Sequence, residues 1–515
     1  KTIMVWERAK FFGKAEIDAW RQSALRPVDA ASLAVFRIGL GLCVMYDASR
    51  KGDDFFNAND GKDFRFAYDG FAWIPSAGDW GLALQNVWFI AALLVTAGLF
   101  YRPAIIAVTA LTLFGFLQAQ EYYLNHYYLL IILCFLMCLV PANRAFALDP
   151  YLLPDRFRPA PVRAMHLWLL KAQAEVVLVY AGLVKLNSDW LQFEPLRSWL
   201  LKRHADTPLD IFWQTDIGMA AAAYGVIALH VLGAPLLLWK RTRLAVALVY
   251  CAFHISNHFT FEIGIFPWMT IAMTTLFFDP DWPRRFLGKF ALKLQLPDLS
   301  APALLSAPVA NAFLAFTGMW IFLQTVIPLR HYAYEGDVAW TYEGHHFAWR
   351  MKLVDRWSPG MVAVAHVPAK NLILVPPLKQ LMKRRQYEKA TTRPPLARQI
   401  GPQLAQKVRD KFGAADVRVH LYMPVGYNNR EAVPLINPKT NLGQWEADNS
   451  NGYWLIRQND RPLRRREEFS NKYTFPEIAE LSAMMGLPQP AACEKIEGDW
   501  LQCQVQDAQK LSDAR

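Results

Sequence analysis

The sequence predicts a polytopic α-helical membrane bundle of about nine spans, followed by a smaller soluble domain of mixed α/β or β-rich structure. Of the 515 residues, 54% are hydrophobic and only 19% are charged, whereas an average soluble domain has roughly 45–50% apolar and about 25% charged residues. Long apolar windows follow one another up to about residue 330, and the sequence is polar and mixed after it. We therefore divide the chain into a bundle, residues 1–330, and a soluble domain, residues 331–515.

The bundle is predicted from near-continuous apolar windows of about 17–25 residues, the length that crosses a bilayer as a helix. Very short turns join several of them, so neighbouring helices should be antiparallel. The windows cover residues 30–48, 79–100, 103–120, 122–140, 165–186, 217–239, 243–262, 263–278 and 309–329. Before the first window, Trp6, Phe11, Phe12 and Trp20 stand among charged residues, a pattern that indicates an amphipathic helix at the membrane surface.

The distribution of Lys and Arg predicts the orientation. With the N-terminus in the cytoplasm, the short segments on the cytoplasmic side carry many more of these residues than the short loops on the other side, as the positive-inside rule requires. We therefore expect an integral protein, of the inner membrane if bacterial, with a cytoplasmic N-terminus and a periplasmic or extracellular soluble domain. The net charge of +11 is explained by this topology, and no nucleic-acid partner is expected.

The soluble domain has its own secondary-structure signals. Residues 361–367 and 417–423 are strand-like, and residues 396–412 have the periodicity of an amphipathic helix. Cys493 and Cys503 are its only cysteines. In an oxidising compartment they could form a disulfide, and the spacing alone leaves this open.

Ionisable residues inside apolar windows are costly in a membrane and mark candidate functional positions. Lys171 and Glu175 are four residues apart and therefore share a helix face, so we expect them to pair with each other or with Arg37. The full set is Arg37, His126, Lys171, Glu175, Lys185, His230, His254 and His258.

Several polar residues should meet at one depth, near the extracytoplasmic surface. In the predicted topology Lys185 ends the fifth window, Asn125 and His126 begin the fourth, and His254 and Asn257 lie in the outer half of the seventh. Burial disfavours the charged form of a lysine and lowers its pKa, so Lys185 is a candidate general base. The alternative is a lysine whose ammonium group reaches water at the helix end.

The histidines do not predict a metal site. His254 and His258 have a spacing that can chelate a metal, but the chain lacks the several clustered histidine motifs of a membrane di-iron oxidase. For His126 and His254 two readings remain: a hydrogen bond to a quinone-type oxygen, or a bond between helices.

The sequence around these residues resembles the vitamin K-dependent gamma-glutamyl carboxylase family, a group of HTTM-domain membrane proteins with bacterial homologues. The resemblance is collinear over about two thirds of the chain. It is carried by RPVDAASLAVFRIGLGLCVMYD (26–47), LNHYYL (124–129), YAGLVKLNSDW (180–190), FHISNHFTFEIGIFPW (253–268), DPDWPRR (279–285) and WTYEGHHFAWRMK (340–352).

The resemblance implies a chemistry. In this family a base deprotonates reduced vitamin K, the hydroquinone, which reacts with O2. The product removes a γ-proton from a glutamyl side chain, CO2 adds there, and the quinone leaves as its epoxide. The family's catalytic lysine falls on Lys185 and its quinone-contacting pair on Asn125 and His126, with His126 also catalytic; His254 and Asn257 match a further cofactor-binding motif.

The soluble domain also follows the family in VHLYMPVGYNNREAVPLINP (419–438), so Asn428 and Arg430 are candidate residues for substrate binding, with Arg430 as a carboxylate anchor. Two departures stand out. Val184 replaces a frequent second lysine, which should favour a neutral Lys185. Pro424 and Gly426 stand where the family tends to have Trp and Ser, which makes peptide carboxylation less secure than quinone oxygenation.

The function expected from the sequence is a vitamin K-dependent carboxylase that couples epoxide formation to γ-carboxylation of glutamate in a secreted peptide or protein, with O2 and CO2 as co-substrates. The alternatives are a quinone epoxidase without peptide carboxylation and a non-enzymatic membrane partner in maturation or export.

Overall fold

The computed structural model describes residues 13–56, 64–152, 160–261, 263–289, 306–445, 454–457, 461–463 and 473–505. Helices dominate the first part of the chain. They are α1 (Lys14–Leu25), α2 (Ala31–Phe56), α3 (Gly81–Ala97), α4 (Tyr101–Gln118), α5 (Asn125–Leu139), α6 (Asp149–Leu152), α7 (Ala164–Leu183), α8 (Ser188–Leu191), α9 (Leu196–His204), α10 (Asp210–Trp213), α11 (Asp216–Ala228), α12 (Ala234–Leu238), α13 (Arg243–Phe261), α14 (Phe266–Thr275), α15 (Trp282–Gly288) and α16 (Ala307–Val326). A two-stranded sheet of β1 (Pro27–Val28) and β2 (Val162–Arg163) joins α1 to α7.

A helix lies in each of the nine predicted windows, and six helical stretches are long and apolar enough to cross a membrane. These are Ala31–Arg50, Gly78–Ala97, Tyr101–Gln118, Asp216–Leu238, Arg243–Phe261 and Ala307–Ala333. The other windows contain α5 and α14, with 15 and 10 residues, and α7, a continuous helix of 20 residues whose apolar sequence is broken by Lys171, Gln173 and Glu175. The protein is thus an integral membrane protein with six clear spans among the described residues, and nine remains a prediction.

Arg37 lies at the centre of the bundle and has no exposed surface. Its guanidinium donates to the backbone carbonyls of Thr96, Ala142 and Ala145 at 3.3, 2.9 and 3.2 Å, and to that of Phe146. The predicted pairing of Arg37 with Lys171 and Glu175 is wrong, because α3 and the loop after α5 supply backbone carbonyls to its guanidinium instead. No ion pair joins Lys171 to Glu175 in the part of the chain that the structure describes.

The N-terminal helix is present as α1. Trp20 on this helix is 53% exposed and its ring lies 6.0 Å from that of Trp168 on α7. Ile17 is exposed to the same extent. An apolar surface of this kind suits a membrane interface. Trp6, Phe11 and Phe12 lie outside the described residues, and the position of the helix at a membrane surface stays a prediction.

The soluble domain contains sheets, as predicted. Its helices are α17 (Val338–Thr341), α18 (Leu378–Leu381), α19 (Arg384–Ala390), α20 (Pro394–Phe412) and α21 (Ile478–Met485), and its strands are β3 (Arg356–Trp357), β4 (Val362–Val367), β5 (Leu372–Val375), β6 (Arg418–Tyr422), β7 (Pro424–Tyr427), β8 (Val433–Pro434), β9 (Pro490–Ile496) and β10 (Trp500–Val505). The larger sheet is antiparallel in the order β6-β4-β5-β10-β9, and β3-β7-β8 form the smaller one.

The local predictions for this domain are confirmed at β4, β6 and α20. Apolar residues of α20 at positions 396, 400, 404 and 408 are fully or almost fully buried, and they pack with those of β4 and β6 in one core. Cys493 and Cys503 lie opposite each other on β9 and β10 and form a disulfide.

Glutamine side chains hold the soluble domain on the bundle. Gln403 on α20 accepts a hydrogen bond from the backbone N–H of Arg65 at 2.9 Å and donates to its carbonyl at 2.8 Å. Gln399 accepts from the N–H of Ala67 at 3.0 Å and donates to Gln120 at 3.0 Å. These bonds tie the loops after α2 and before α5 to α20, so that the domain covers one end of the bundle.

Candidate active site

A cavity lies where the ends of α5, α7 and α13 meet the first loop of the soluble domain. Its volume is about 420 Å³, within the roughly 300–1,000 Å³ of small-molecule sites. Aromatic rings line much of it: Trp190, Trp199, Trp213, Phe253, Phe261 and Phe266. The polar residues in its wall include Asn125, His126, Lys185, His230, Asn257, Arg350 and Lys352. We call it the Lys185 cavity.

Lys185 lies in the turn between α7 and α8, two residues beyond the last helical residue of α7. It is 6% exposed. Its ammonium group donates to the carbonyl of Ala181 at 2.6 Å and lies 5.2 Å from the centre of the Trp190 ring. Burial lowers the pKa of Lys185 to about 7. No carboxylate pairs with it among the described residues, so the neutral amine is accessible near neutral pH.

The short helix α8 fixes the partner ring of Lys185. The Asn187 side chain accepts a hydrogen bond from the backbone N–H of Trp190 at 3.0 Å, which is the usual role of an asparagine at a helix start. The Trp190 indole donates to the carbonyl of Ala223 at 3.1 Å. The lysine is therefore held between a helix carbonyl and an anchored ring.

A π-helical turn at Leu229–Gly233 interrupts the helix formed by α11 and α12. It places His230, whose Nδ1 is 2.9 Å from the carbonyl of Val226, in the wall of the cavity. Nδ1 therefore donates and Nε2 is left as an acceptor. A Cβ on Gly182 would lie 2.7 Å from Val231 Cγ2, so only glycine allows α7 to approach this turn so closely. π-turns often occur at functional sites.

Asn125 begins α5 and connects the cavity to the soluble domain. Its Nδ2 donates to the carbonyl of Arg350 at 3.1 Å, and its Oδ1 accepts from the hydroxyl of Tyr123 at 3.1 Å. That hydroxyl accepts the backbone N–H of Phe347 at 2.6 Å. Asn125 thus positions the loop that carries Arg350, and both Asn125 and His126 line the cavity.

The two candidates on α13 have different surroundings. Asn257 lines the cavity, together with Ser256 and Thr260. His254 is 1% exposed, its ring stacks on that of Tyr250 at 5.8 Å, and neither of its nitrogens has a hydrogen-bond partner among the described residues. His254 is not part of the cavity wall, so a cofactor contact by this residue stays a prediction.

The two candidates in the soluble domain lie outside the wall of the cavity. Asn428 takes a left-handed backbone conformation with φ 44°, which asparagine tolerates well. Its Nδ2 donates to Asp189 at 2.9 Å. Arg430 binds both carboxylate oxygens of Asp189 through its two terminal nitrogens at 2.7 and 2.8 Å. Both terminal nitrogens of Arg430 therefore already bind Asp189. Arg430 fits a role in holding the soluble domain on α8 better than the predicted role of binding the carboxylate of a substrate.

The comparison with protein families bears on this arrangement. The family model of the HTTM domain matches residues 25–282. The family model of the lumenal domain of vitamin K-dependent gamma-carboxylase matches residues 309–461. The chain belongs to the vitamin K-dependent gamma-carboxylase family. Membership of this family implies a vitamin K cofactor and glutamate-containing protein substrates. No solved structure matches the chain.

Sequence reasoning missed several residues of the Lys185 cavity. Arg350 and Lys352 belong to the motif WTYEGHHFAWRMK but were given no role, and His230 was only one of several ionisable candidates. The sequence signal that could have identified Arg350 is a charged residue that stands between the apolar residues Trp349 and Met351.

Among the described residues no group of three His, Cys, Asp or Glu side chains is placed to hold a metal ion.

Proposed function

We propose that this protein is a vitamin K-dependent carboxylase that couples epoxide formation on the hydroquinone to γ-carboxylation of glutamyl residues in a secreted peptide or protein. The observation that carries the proposal is the buried Lys185, which no described carboxylate pairs with, in a mainly aromatic cavity at the junction of the two family domains. The bundle, residues 1–330, would contain the cavity, and the soluble domain, residues 331–515, would present the substrate from the extracytoplasmic side. The excess of Lys and Arg in the opposite loops supports a cytoplasmic N-terminus.

The residues of the cavity fit the aromatic cofactor. The flat rings of Trp190, Trp199 and Phe266 suit an aromatic ligand, and Asn125, His126 and Asn257 offer hydrogen bonds to its oxygens. His254 remains a further candidate for this contact. When bound, the hydroquinone supplies the electrons that reduce O2 and so provides the base strong enough to remove a glutamyl γ-proton.

Lys185 is the candidate general base. Its neutral Nζ accepts a proton from a phenolic O–H, which a surface lysine does poorly because its pKa near 10.4 keeps it protonated. Val184 next to it adds no second charge. Trp190 and the Ala181 carbonyl hold the ammonium group that forms. Asn125 and His126 then stabilise negative charge on the oxygen that loses its proton, as amide and imidazole groups do in oxyanion sites.

The test uses the full chain in lipid nanodiscs with vitamin K hydroquinone, oxygen, labelled hydrogencarbonate and a glutamate-rich peptide. We expect both epoxide and labelled peptide from the wild type, and neither above background from Lys185→Ala. Lys202→Ala, a change of an exposed lysine on α9, is the matched control and should behave as the wild type.

Three outcomes would refute parts of the proposal. Epoxide without labelled peptide would reduce the function to a quinone epoxidase, the alternative that Pro424 and Gly426 favour. Neither product from the wild type would exclude the proposed enzyme and leave a binding role in maturation or export. Full activity in Lys185→Ala would exclude Lys185 as the base.

A further inference from the structure

His230 brings to the Lys185 cavity a ring nitrogen whose hydrogen-bonding role is fixed. Its Nδ1 lies 2.9 Å from the carbonyl of Val226. Because a carbonyl can only accept, Nδ1 carries the hydrogen and Nε2 of the neutral ring is an acceptor. Nε2 forms no hydrogen bond with a described residue. Both nitrogens of His254 are sealed inside the protein, whereas Nε2 of His230 is not, and His230 is part of the cavity wall.

The surroundings of His230 favour the neutral ring. The residue is 4% exposed, and burial disfavours the charged imidazolium form. The ammonium form of Lys185 would also repel an imidazolium at this position. Lys185 does not donate to Nε2, since its hydrogen bond goes to the carbonyl of Ala181. The acceptor is therefore available to a molecule in the cavity.

Packing holds the imidazole in this orientation. The rings of Tyr250 and Phe253 meet it at steep angles, with centroids 5.6 and 5.2 Å away. The Tyr250 hydroxyl donates to the carbonyl of Leu229 at 2.9 Å, within the π-turn that carries His230. A Cβ on Gly182 would lie 2.9 Å from that of His230, so α7 packs closely on the same residue. Turning the ring to offer a donor would break these contacts and the bond to Val226.

Several other polar groups of the wall can serve either a donor or an acceptor. An amide has both N–H and C=O groups, and a hydroxyl both donates and accepts. A neutral amine keeps N–H groups beside its lone pair. These adaptable groups belong to Asn257, Ser256, Thr260 and Lys185. They do not distinguish a ligand that donates from one that only accepts, whereas His230 does.

A fixed acceptor fits the reduced cofactor and opposes the oxidised one. The hydroquinone has two phenolic O–H donors, whereas the oxygens of the quinone and of the epoxide only accept. A quinone oxygen at Nε2 would bring two lone pairs together and leave a buried acceptor without a bond, which should weaken binding by about 10- to 100-fold. Sites built to bond a hydroxyl reject analogues that lack it for this reason.

We propose that His230 selects the hydroquinone over the quinone and the epoxide by accepting a hydrogen bond from a phenolic O–H. The inference rests on the proposed function, because it takes the Lys185 cavity as the cofactor site. The contact also bears on product release. The epoxide has no O–H for Nε2, so the contact that holds the reduced cofactor is lost once the product has formed.

The test is equilibrium binding to the full chain in nanodiscs, without oxygen or peptide, with vitamin K hydroquinone and vitamin K quinone as separate ligands. We expect His230→Phe, which keeps a flat ring, to weaken hydroquinone binding by about 10- to 100-fold and to change quinone binding by less than about twofold. His230→Gln should recover part of the loss, because its amide oxygen can accept. His166→Phe is the matched control. It changes a buried histidine of α7 that packs on Phe313 outside the cavity, and it should alter neither affinity.

A redox titration of the bound cofactor gives a second readout. A site that binds the reduced form more tightly raises the midpoint potential, by about 30 mV for each tenfold preference in a two-electron couple. His230→Phe should therefore lower the midpoint potential of the bound cofactor by about 30–60 mV, and His166→Phe should leave it unchanged.

Equal loss of both ligands in His230→Phe, or an unchanged preference, overturns the inference. Lys185→Ala decides the case even if His230→Phe does not fold: it should keep a preference for hydroquinone of about tenfold or more. Loss of that preference would assign the selection to the lysine and overturn the inference. The proposed function fails separately. Preference for hydroquinone without epoxide or labelled peptide refutes the function alone, and equal binding of both forms by a wild type that makes epoxide refutes the inference alone.

Discussion

The pH dependence of hydroquinone oxidation is the sharpest prediction for Lys185. A general base works only in its neutral form, so the rate should follow the neutral fraction of Lys185 and rise with pH. Burial lowers its pKa from 10.5 to about 7, which corresponds to about 5 kcal/mol of destabilisation of the charged form, at about 1.4 kcal/mol per unit. With a pKa of about 7, the neutral fraction increases about tenfold between pH 6 and pH 8 and then reaches a plateau.

An ordinary lysine would behave differently. With a pKa near 10.4, its neutral fraction rises about 100-fold over the same interval and has no plateau below pH 10. The assay is the initial rate of epoxide formation by the full chain in nanodiscs, with saturating hydroquinone, from pH 5.5 to 9.5. A hundredfold rise without a plateau would refute the reasoning from burial, and so would a rate independent of pH.

Two variants separate the lysine from other titrating groups. Lys185→Ala should lose about 10²- to 10⁴-fold in rate, the usual contribution of general base catalysis, and should lose the titration near pH 7. Lys185→Arg keeps a positive charge but cannot give a neutral base, so it should be as impaired as Lys185→Ala. Substantial activity of Lys185→Arg would show that a cation, and not a base, is required at this position.

Three other contacts lead to measurable effects. Gly182→Ala should destabilise the protein by about 1–3 kcal/mol, seen as a lower melting temperature, because the new Cβ would meet Val231 at 2.7 Å; an unchanged melting temperature would show that α7 can shift. Asp189→Asn should cost about 3–5 kcal/mol by removing the negative charge that the Arg430 guanidinium binds, and adding Arg430→Met should recover part of this loss; a double variant no more stable than the single one would contradict the pairing. Cys503→Ser should lower the free energy of unfolding by about 2–3 kcal/mol, since it opens a loop of 10 residues, and leave the KM for hydroquinone unchanged.

Hydropathy predicted the helices well because the backbone N–H and C=O groups of an apolar window in a membrane must bond to each other, and a helix achieves this within one segment. The amphipathic helix in the soluble domain was found for a related reason: the burial of Leu396, Ile400 and Leu404 repeats with the helical period. Such patterns are local and can be read from consecutive residues. They do not give the number of spans, since α5 and α14 are too short to decide it.

The partners of charged residues could not be predicted in the same way. Arg37 binds carbonyls from positions 96, 142, 145 and 146, groups that every residue type carries and no sequence pattern reveals. Arg430 and Arg350 both belong to motifs quoted above, yet the side chain of Arg430 forms an ion pair with Asp189 and that of Arg350 forms no ion pair or hydrogen bond with a described residue. The Arg430 contact joins residues more than 200 positions apart, so no local pattern could reveal it.

The glutamine contacts between α20 and the bundle restrict how a chimeric enzyme can be built. Gln399 and Gln403 bond the backbone at 65 and 67, so their partners belong to the first quarter of the chain. Suppose that a soluble domain is taken from a relative and joined at a single point near residue 331. It would bring the helix that corresponds to α20, but not the loop after α2 whose backbone that helix hydrogen-bonds. An exchange of substrate preference between relatives should therefore transfer residues 65–67 and Gln120 together with the soluble domain.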